Sequence, residues 1–384
     1  MSQLYQSIIS NQLLRPTHVE INLKQITINF HLIRKAVEPC LMMPILKANA
    51  YGHGLIEVAR CLEEEGADYF GLAYLEEGLL LRQAGISAPI LILGGIIGEQ
   101  IPVFIEHNLT ITASSVDKLK AIDACAQRMN KRAKVHLKID TGMERIGVHS
   151  YSALSLLKVA LECSYTEIEG IFSHFATADE EDLEFAHIQL ERFKEVLALA
   201  QDLGLNNLIR HISNSGAILQ VPEANFDMVR PGILLYGVYP AAHLSRWISV
   251  EMAMRWVSRI VYFKVIPPNT GVSYGHLWKS DVQTRILTVP VGYGDGYHRT
   301  MSSKAEVLIR GKRFCVVGAI CMDQLMVELA DQEAFNGEEV VLMGAQGEDE
   351  IRVEELAQWA NTIPYEILTS INTRVPRIFI GQDN

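Results

Sequence analysis

The sequence predicts an α/β protein in two parts: an N-terminal (β/α)8 TIM-like barrel over residues 12–247, followed by a C-terminal mostly antiparallel β domain over residues 248–384. Three observations carry that expectation. Between Thr17 and Trp247, eight short apolar or β-branched runs alternate with longer amphipathic stretches. After Trp247 the runs crowd together and turn residues separate them. The 384 residues are 49% hydrophobic and 21% charged, enough to bury sizeable cores without disulfide or metal staples.

The eight runs cover residues 42–48, 69–73, 89–93, 109–113, 134–139, 169–173, 209–212 and 227–230. Helical patterns lie between most of them. Residues 54–66 place Leu55, Val58, Ala59 and Leu62 on one face, and residues 182–204 do the same with Phe185, Ile188, Leu190, Phe193, Val196 and Leu197. Gly66, Gly85 and Gly204 sit where such helices would stop. Eight strand–helix units in about 230 residues match a (β/α)8 barrel in number and length. An open doubly wound sheet is the alternative. It is weaker because the early glycine cluster at 52–54 is not a GxGxxG fingerprint.

The C-terminal runs cover residues 256–265, 285–291, 305–309, 314–319, 325–329 and 339–342. Pro267-Pro268-Asn269, Gly311-Lys312 and Asn336-Gly337 punctuate them, and one amphipathic stretch, 353–361, interrupts. Residues 1–11 are expected to pack with this domain.

Composition excludes several function classes. A net charge of −11 argues against wholesale binding to nucleic acid or anionic membranes, which need a basic surface. The most apolar stretches, such as 88–97, fall well short of the ~20 residues of a spanning helix. The six cysteines (Cys40, Cys61, Cys125, Cys163, Cys315 and Cys321) form no CxxC pair and read as reduced thiols. The N-terminus lacks the pattern of a secretory signal, so a cytoplasmic location is expected.

In a barrel, side chains at the C-terminal strand ends share one mouth. Here those ends carry Lys47, then Lys138, Asp140 and Arg145, then His174, then Ser213, Asn214 and Ser215, then Arg230. This mainly cationic set suits an anion such as phosphate or carboxylate. Lys47 follows an apolar run, and desolvation would make its amine a nucleophile or base. From spacing alone, a lysine snorkelling at the rim fits equally well.

LKANAYGHG (46–54) resembles the pyridoxal-phosphate lysine motif of alanine racemases. The resemblance continues through KIDTGMERIGV (138–148), SHFATADE (173–180), HISNSGA (211–217), VRPGILLYG (229–237), GVSYGH (271–276), VPVGYGDGY (289–297), GAICMDQLMV (318–327) and RVPRIF (374–379). It spans nearly the whole chain in family order and implies a barrel followed by a β domain, working as a homodimer with shared active sites. The implied activity is interconversion of L-alanine and D-alanine, supplying D-alanine for peptidoglycan.

The resemblance also assigns roles. Lys47 is the Schiff-base lysine of pyridoxal 5'-phosphate (PLP). Tyr51, Asn214, Ser215, Gly232 and Ile233 hold the cofactor, His211 lies beside its ring, and Arg230 faces the ring nitrogen. Lys47 and Tyr274 are the two bases, Tyr274 coming from the partner subunit with His174 as its hydrogen-bond partner. Arg145 and the Met322 backbone N–H bind the substrate carboxylate, Tyr293 stands at the substrate entrance, and Lys138 is the position carbamylated in some members. Where relatives often carry a phosphate-binding tyrosine before RVPR, this sequence has Thr373, too short for the same reach.

Read without the family, several of these residues have blander roles. Tyr274 is a packed aromatic, Tyr293 a turn aromatic and His211 a satisfied core histidine. Cys321 reads as a packing residue, Asp323 as a turn or supporting residue, His53 and His149 as structural or surface groups, and Glu63–Glu65 as a solvated helix face. A PLP-binding carrier, a PLP decarboxylase and a metal-assisted aldolase are the competing functions. GVSYG and CMDQ argue against a carrier. The decarboxylase would lack this tyrosine as second base, and the aldolase would want a histidine near CMD.

Overall fold

A computed structural model describes residues 14–244 and 246–381. The expected packing of residues 1–11 lies outside the described residues. The chain divides into two compact units: Gln25–Glu251, and the residues up to Lys24 together with those from Met252 onward.

The first unit is the barrel. Six strands form a parallel sheet in the order Phe70–Leu72, Ile90–Ile92, Thr110–Ala113, Ala133–Asp140, Thr166–Phe172 and Ile209–His211. Met228–Val229 pairs in parallel with Leu41–Met42. That pair closes the ring on both sides. Ile45 bridges to Gly71 in parallel, while the Asp227 and Arg230 N–H groups donate to Arg210 and Ser213 carbonyls at 3.1 and 3.0 Å. All eight runs expected from the sequence are strands of this ring. Their central residues are buried on both faces, which is why they read as unbroken apolar runs. The helices wrap outside: Leu55–Glu64 buries Leu55, Val58, Ala59 and Leu62, and Val116–Met129 is capped by Ser115 Oγ, which accepts the Lys118 N–H at 3.1 Å.

Two details depart from expectation. The first strand does not run on to residue 48. Pro44 has no N–H for a ladder, and Lys47 opens a helical turn, Lys47–Tyr51. Glu63 is also more than a solvated side chain: its Oε1 accepts from the Ser87 and Ala88 N–H groups and the Ser87 hydroxyl, pinning its helix to the next loop.

The second unit is built from antiparallel-rich sheets. The larger runs Lys312–Cys315, Glu306–Ile309, Glu339–Gln346, Met254–Arg259, His18–Asn22, Arg377–Ile380. His18–Asn22 pairs antiparallel with Met254–Arg259 and parallel with Arg377–Ile380, so the chain enters this unit before it builds the barrel. A second sheet orders Tyr262–Ile266, Thr284–Val289 and Leu325–Ala330. Residues 256–265, one run in the sequence, are two strands. The Ile260 N–H bonds to Glu338, just ahead of the larger sheet's strand Glu339–Gln346, and the Val261 N–H to Thr288 of the smaller, so the chain changes sheets there. Among the described residues, no helix is long and apolar enough to cross a membrane.

Candidate active site

The barrel mouth is organised around Lys47. The residues after it, Ala48, Asn49, Ala50 and Tyr51, all have φ between 52° and 57°, a left-handed turn of non-glycine residues. Such residues cost roughly 1–2 kcal/mol each. Local bonds hold the turn. The Ala50 N–H donates to Leu46 O at 2.7 Å, Asn49 Oδ1 accepts the Leu55 N–H at 2.9 Å, and Glu77 Oε1 accepts the Ala48 N–H at 2.7 Å. The turn carries Tyr51 into the interior, where its ring lies 5.1 Å from that of Tyr236. Burial raises the Tyr51 phenol, so it stays protonated and can donate a hydrogen bond.

Facing Tyr51 is Gly232, where the lack of a side chain lets the phenol come close to the backbone. A Cβ on Gly232 would lie 2.8 Å from Tyr51 Oη and 3.8 Å from Ser215 Oγ. Ser215 Oγ already accepts the Gly232 N–H at 2.9 Å. Asn214 is committed to the chain that follows, its Oδ1 accepting the Ala217 N–H at 3.0 Å, and Ile233 is buried beside this group.

Arg230 is the most heavily bonded cation of the mouth. Its Nη1 donates to His211 Nδ1 at 2.9 Å. Its Nη2 donates to Ser173 O, Ile212 O and His174 Nδ1 at 2.8, 2.9 and 3.1 Å. A guanidinium has five N–H donors, so among the described residues the Nε–H and one Nη1–H remain for an acceptor. Burial pulls Arg230 down to about 9, which still leaves it charged at neutral pH. His211 stacks on Phe172 with ring centroids 4.8 Å apart and meets His136 Nδ1 through Nε2 at 2.8 Å.

The expected convergence of the cations is visible in their electrostatics. Burial lowers His174, and Arg230, Lys138, Arg145 and Lys47 push it further down in that order. Burial also lowers Lys47, helped by Arg145 and Arg230 and opposed by Glu77. Lys138 is buried and held well below its ordinary value by desolvation and then by Arg230. Its Nζ donates to Ile139 O at 3.1 Å and lies 5.0 Å from the Phe172 ring centre. Arg145 is exposed at the end of a loop that wraps Asp140. Asp140 Oδ1 accepts from the Gly142, Met143 and Glu144 N–H groups, and Oδ2 from the Arg145 N–H. Burial pushes this carboxyl up, but those N–H groups win and hold it low. Asp140 therefore organises the loop and is not a free carboxylate.

The remaining predicted residues lie in the second unit. Tyr274 is 72% exposed at the tip of a hairpin whose arms are Gly271–Val272 and Trp278–Lys279. Met322 and Tyr293 are exposed on adjoining loops. The Tyr293 N–H donates to Cys321 O at 3.0 Å and the Gly294 N–H to Met322 O at 2.9 Å. Asp295, fully buried, binds Arg15 and Arg374 at 2.7 Å each, and Arg374 Nη2 reaches Asp323 at 2.8 Å. Asp323 is thus a supporting residue. Among the described residues, Thr373 Oγ1 has one hydrogen-bond contact, Asn372 Oδ1 at 3.4 Å.

Residues 21–240 match the family model "Alanine racemase, N-terminal domain", and residues 253–379 match "Alanine racemase, C-terminal domain". The chain is 44% identical over 369 residues to the alanine racemase of Carboxydothermus hydrogenoformans, covering 96% of this chain and 100% of the relative. The chain belongs to the alanine racemase family. It is therefore an isomerase.

The structural likeness to other family members is equally complete. The alanine racemase of Streptomyces lavendulae superposes with a TM-score of 0.93 at 35% identity, over 97% of this chain and 98% of that one. The Bacillus anthracis enzyme, solved with bound L-Ala-P, does so with a TM-score of 0.90 at 34% identity, over 97% of each chain.

Three contributors escaped the sequence reading. His136 sits mid-strand and has no motif signal. Glu77 looks like an ordinary first-turn acid of a helix, although its carboxylate also accepts the Ala73 and Tyr74 N–H groups beside the Lys47 turn. Phe172, under His211, reads only as an apolar strand residue. His53 is structural, buried and stacked on Tyr236 at 4.4 Å, and His149 is a surface group paired with Glu144.

Proposed function

We propose that this chain interconverts L-alanine and D-alanine using PLP held at Lys47, with Lys47 and Tyr274 handling the Cα proton on opposite faces. The observation that carries this reading is the barrel mouth itself. A desolvated lysine, a bare glycine approached by two hydroxyls, and an arginine with two donors left over among the described residues stand together on one rim. Each suits one part of PLP: the amine its aldehyde carbon, the hydroxyls its phosphate, the arginine its ring nitrogen.

The residues that would hold the cofactor are Lys47, Tyr51, Ser215, Gly232, Ile233 and Arg230, with Asn214 and His211 supporting them. Bound PLP supplies an electron sink for the pair left on Cα when its proton departs. Arg230 limits that sink. It stays protonated and only donates, so it leaves no proton on the ring nitrogen, which favours reprotonation at Cα over transamination.

Lys47 is suited to carry the proton on its own face because burial and its cationic neighbours favour the neutral amine. His174 Nδ1 accepts from Arg230, so its proton sits on Nε2. That N–H would be available to the phenol oxygen of a Tyr274 brought to this mouth, and would orient it for proton transfer. Arg145 and the Met322 N–H would hold the substrate carboxylate, and Tyr293 would narrow the entrance. Burial and then Arg230 hold the Lys138 amine well below its ordinary value, which favours the uncharged form that a carbamate would be made from.

Two copies would share their sites, the Tyr274 of one serving the barrel of the other, in a cytoplasmic homodimer that provides D-alanine for peptidoglycan. No part of this reading needs nucleic acid or a membrane. The test is chiral analysis of protein reconstituted with PLP. L-alanine should become the racemate, and protein stripped of PLP should leave it unchanged. A reconstituted protein that leaves L-alanine unconverted would remove the reading.

A further inference from the structure

The hairpin that carries Tyr274 is fixed at its base and strained at its tip. Val272 is buried with Ile266, Ile286 and Val317, and Trp278 packs against the same cluster. The next residue, Ser273, has φ 63° and ψ −173°. That region is essentially reserved for glycine, and a side chain there costs roughly 1–3 kcal/mol.

The serine makes contacts that a glycine could not. Its Oγ donates to Ala319 O at 2.6 Å and lies 3.4 Å from Cys321 Sγ. The segment it binds is pressed onto it, since a Cβ on Gly318 would meet Val272 O at 2.6 Å and Ser273 Cβ at 3.1 Å. The same segment is fastened elsewhere: the Gly318 N–H donates to Ser303 Oγ at 3.1 Å, the Ile320 N–H to Ser302 Oγ at 3.0 Å, and the Cys321 N–H to Gln324 O at 2.9 Å. Met322 follows directly. Ser273 therefore joins two loops, one bearing Tyr274 and the other Met322.

We propose that Ser273 is a positioning residue for racemisation: its strained backbone aims Tyr274, and its hydroxyl locks that aim to the loop carrying Met322. This rests on the roles given above to Tyr274 and Met322. The phenol and the carboxylate-binding N–H then move as one piece. Backbone strain is retained because the residue that would relieve it lacks the hydroxyl that makes the tie. If the hairpin merely tolerated a serine, glycine would serve as well or better in every respect.

The test compares the Ser273→Gly and Ser273→Ala holoenzymes. Glycine removes strain and tie, whereas alanine removes only the tie, so Ser273→Gly should melt higher than Ser273→Ala. Both should keep the visible spectrum of bound PLP. Both should lose roughly tenfold to a hundredfold in kcat, the range expected when a reacting group is misplaced by about an ångström. The primary isotope effect measured with Cα-deuterated alanine should grow for one enantiomer only, the one whose proton Tyr274 removes. A Ser273→Gly enzyme with wild-type kcat and wild-type isotope effects overturns the proposal. Tyr274→Phe, run in the same assay, tests the reading beneath it. If that variant also turns over at the wild-type rate, the role of Tyr274 itself fails, and the two failures are told apart.

Discussion

Arg230 Nη1 donates to His211 Nδ1 at 2.9 Å, and this one bond sets the protonation of a buried chain. A guanidinium cannot accept, so His211 Nδ1 carries no proton and Nε2 does. Nε2–H then donates to His136 Nδ1 at 2.8 Å, which places the His136 proton on Nε2. Both imidazoles are neutral, and among the described residues no carboxylate pairs with the arginine. Gly170 makes room for the arrangement, since a Cβ there would meet the His136 ring at 2.6 Å.

That chain gives stability a pH dependence. Burial, followed by Arg230 and Lys134, lowers His136 from 6.5 to about 3. Below about pH 6.5 the unfolded chain binds a proton that the folded one refuses, so stability falls as pH drops from 6.5 towards 3. Above 6.5 the residue contributes no slope. Lowered His174 and His211 act in the same direction. Unfolding free energy measured by denaturant between pH 7 and 5 should fall, and His136→Asn should reduce the slope by about one proton. An unchanged slope would mean that His136 is charged in the folded protein.

The role proposed for Lys47 has a spectroscopic test. Lys47→Ala should abolish the visible absorption band that PLP gives when joined to the protein, and abolish racemisation with it. A variant with the wild-type spectrum would move the attachment to another residue.

Tyr274→Phe should keep that band, because the role proposed for the phenol is proton transfer and not cofactor binding. Turnover should fall by roughly 10^2- to 10^4-fold, the usual contribution of a general base. The enantiomers have equal free energy, so kcat/KM measured from L- and from D-alanine should fall together.

Gly232→Ala places a methyl 2.8 Å from Tyr51 Oη, in the space assigned to phosphate. Titration of the apoenzyme with PLP should show affinity weakened at least about tenfold, the equivalent of one lost charge-assisted hydrogen bond. Unchanged affinity would place the phosphate elsewhere.

Arg230→Glu should let the ring nitrogen keep a proton, so alanine should pass its amino group to PLP, releasing one pyruvate and leaving one pyridoxamine phosphate per site, with the pyruvate read by a coupled dehydrogenase and further turnover requiring added PLP. The variant also leaves Ser173 O and Ile212 O without their donor, and the assay should be normalised to folded protein. Folded variant that forms no pyruvate would contradict the role given to Arg230.

The sequence made the barrel legible because strands buried on both faces appear as unbroken apolar runs, whatever they pair with. It did not make the place of His18–Asn22 legible. Alternation marks a strand but not its neighbours, and the partners of this one lie more than two hundred residues away. The break at Ile260–Val261 was hidden because the chain changes sheets there without a glycine or proline. In the site, Lys47 and Arg230 stood out by chemistry at strand ends. His136 and Glu77 did not, because their importance lies in which atoms they meet. Ser273 was the least legible: a strained backbone is usually announced by a glycine, and here the glycine is missing because its hydroxyl-bearing substitute makes the tie.

Incubation of the enzyme and PLP with L-alanine in deuterated water tests the two-faced proton transfer most directly. Both enantiomers should appear, each carrying deuterium at Cα, with no carbon dioxide and no aldehyde. Release of carbon dioxide, or of an aldehyde, or recovery of L-alanine alone with its Cα hydrogen intact, would contradict it.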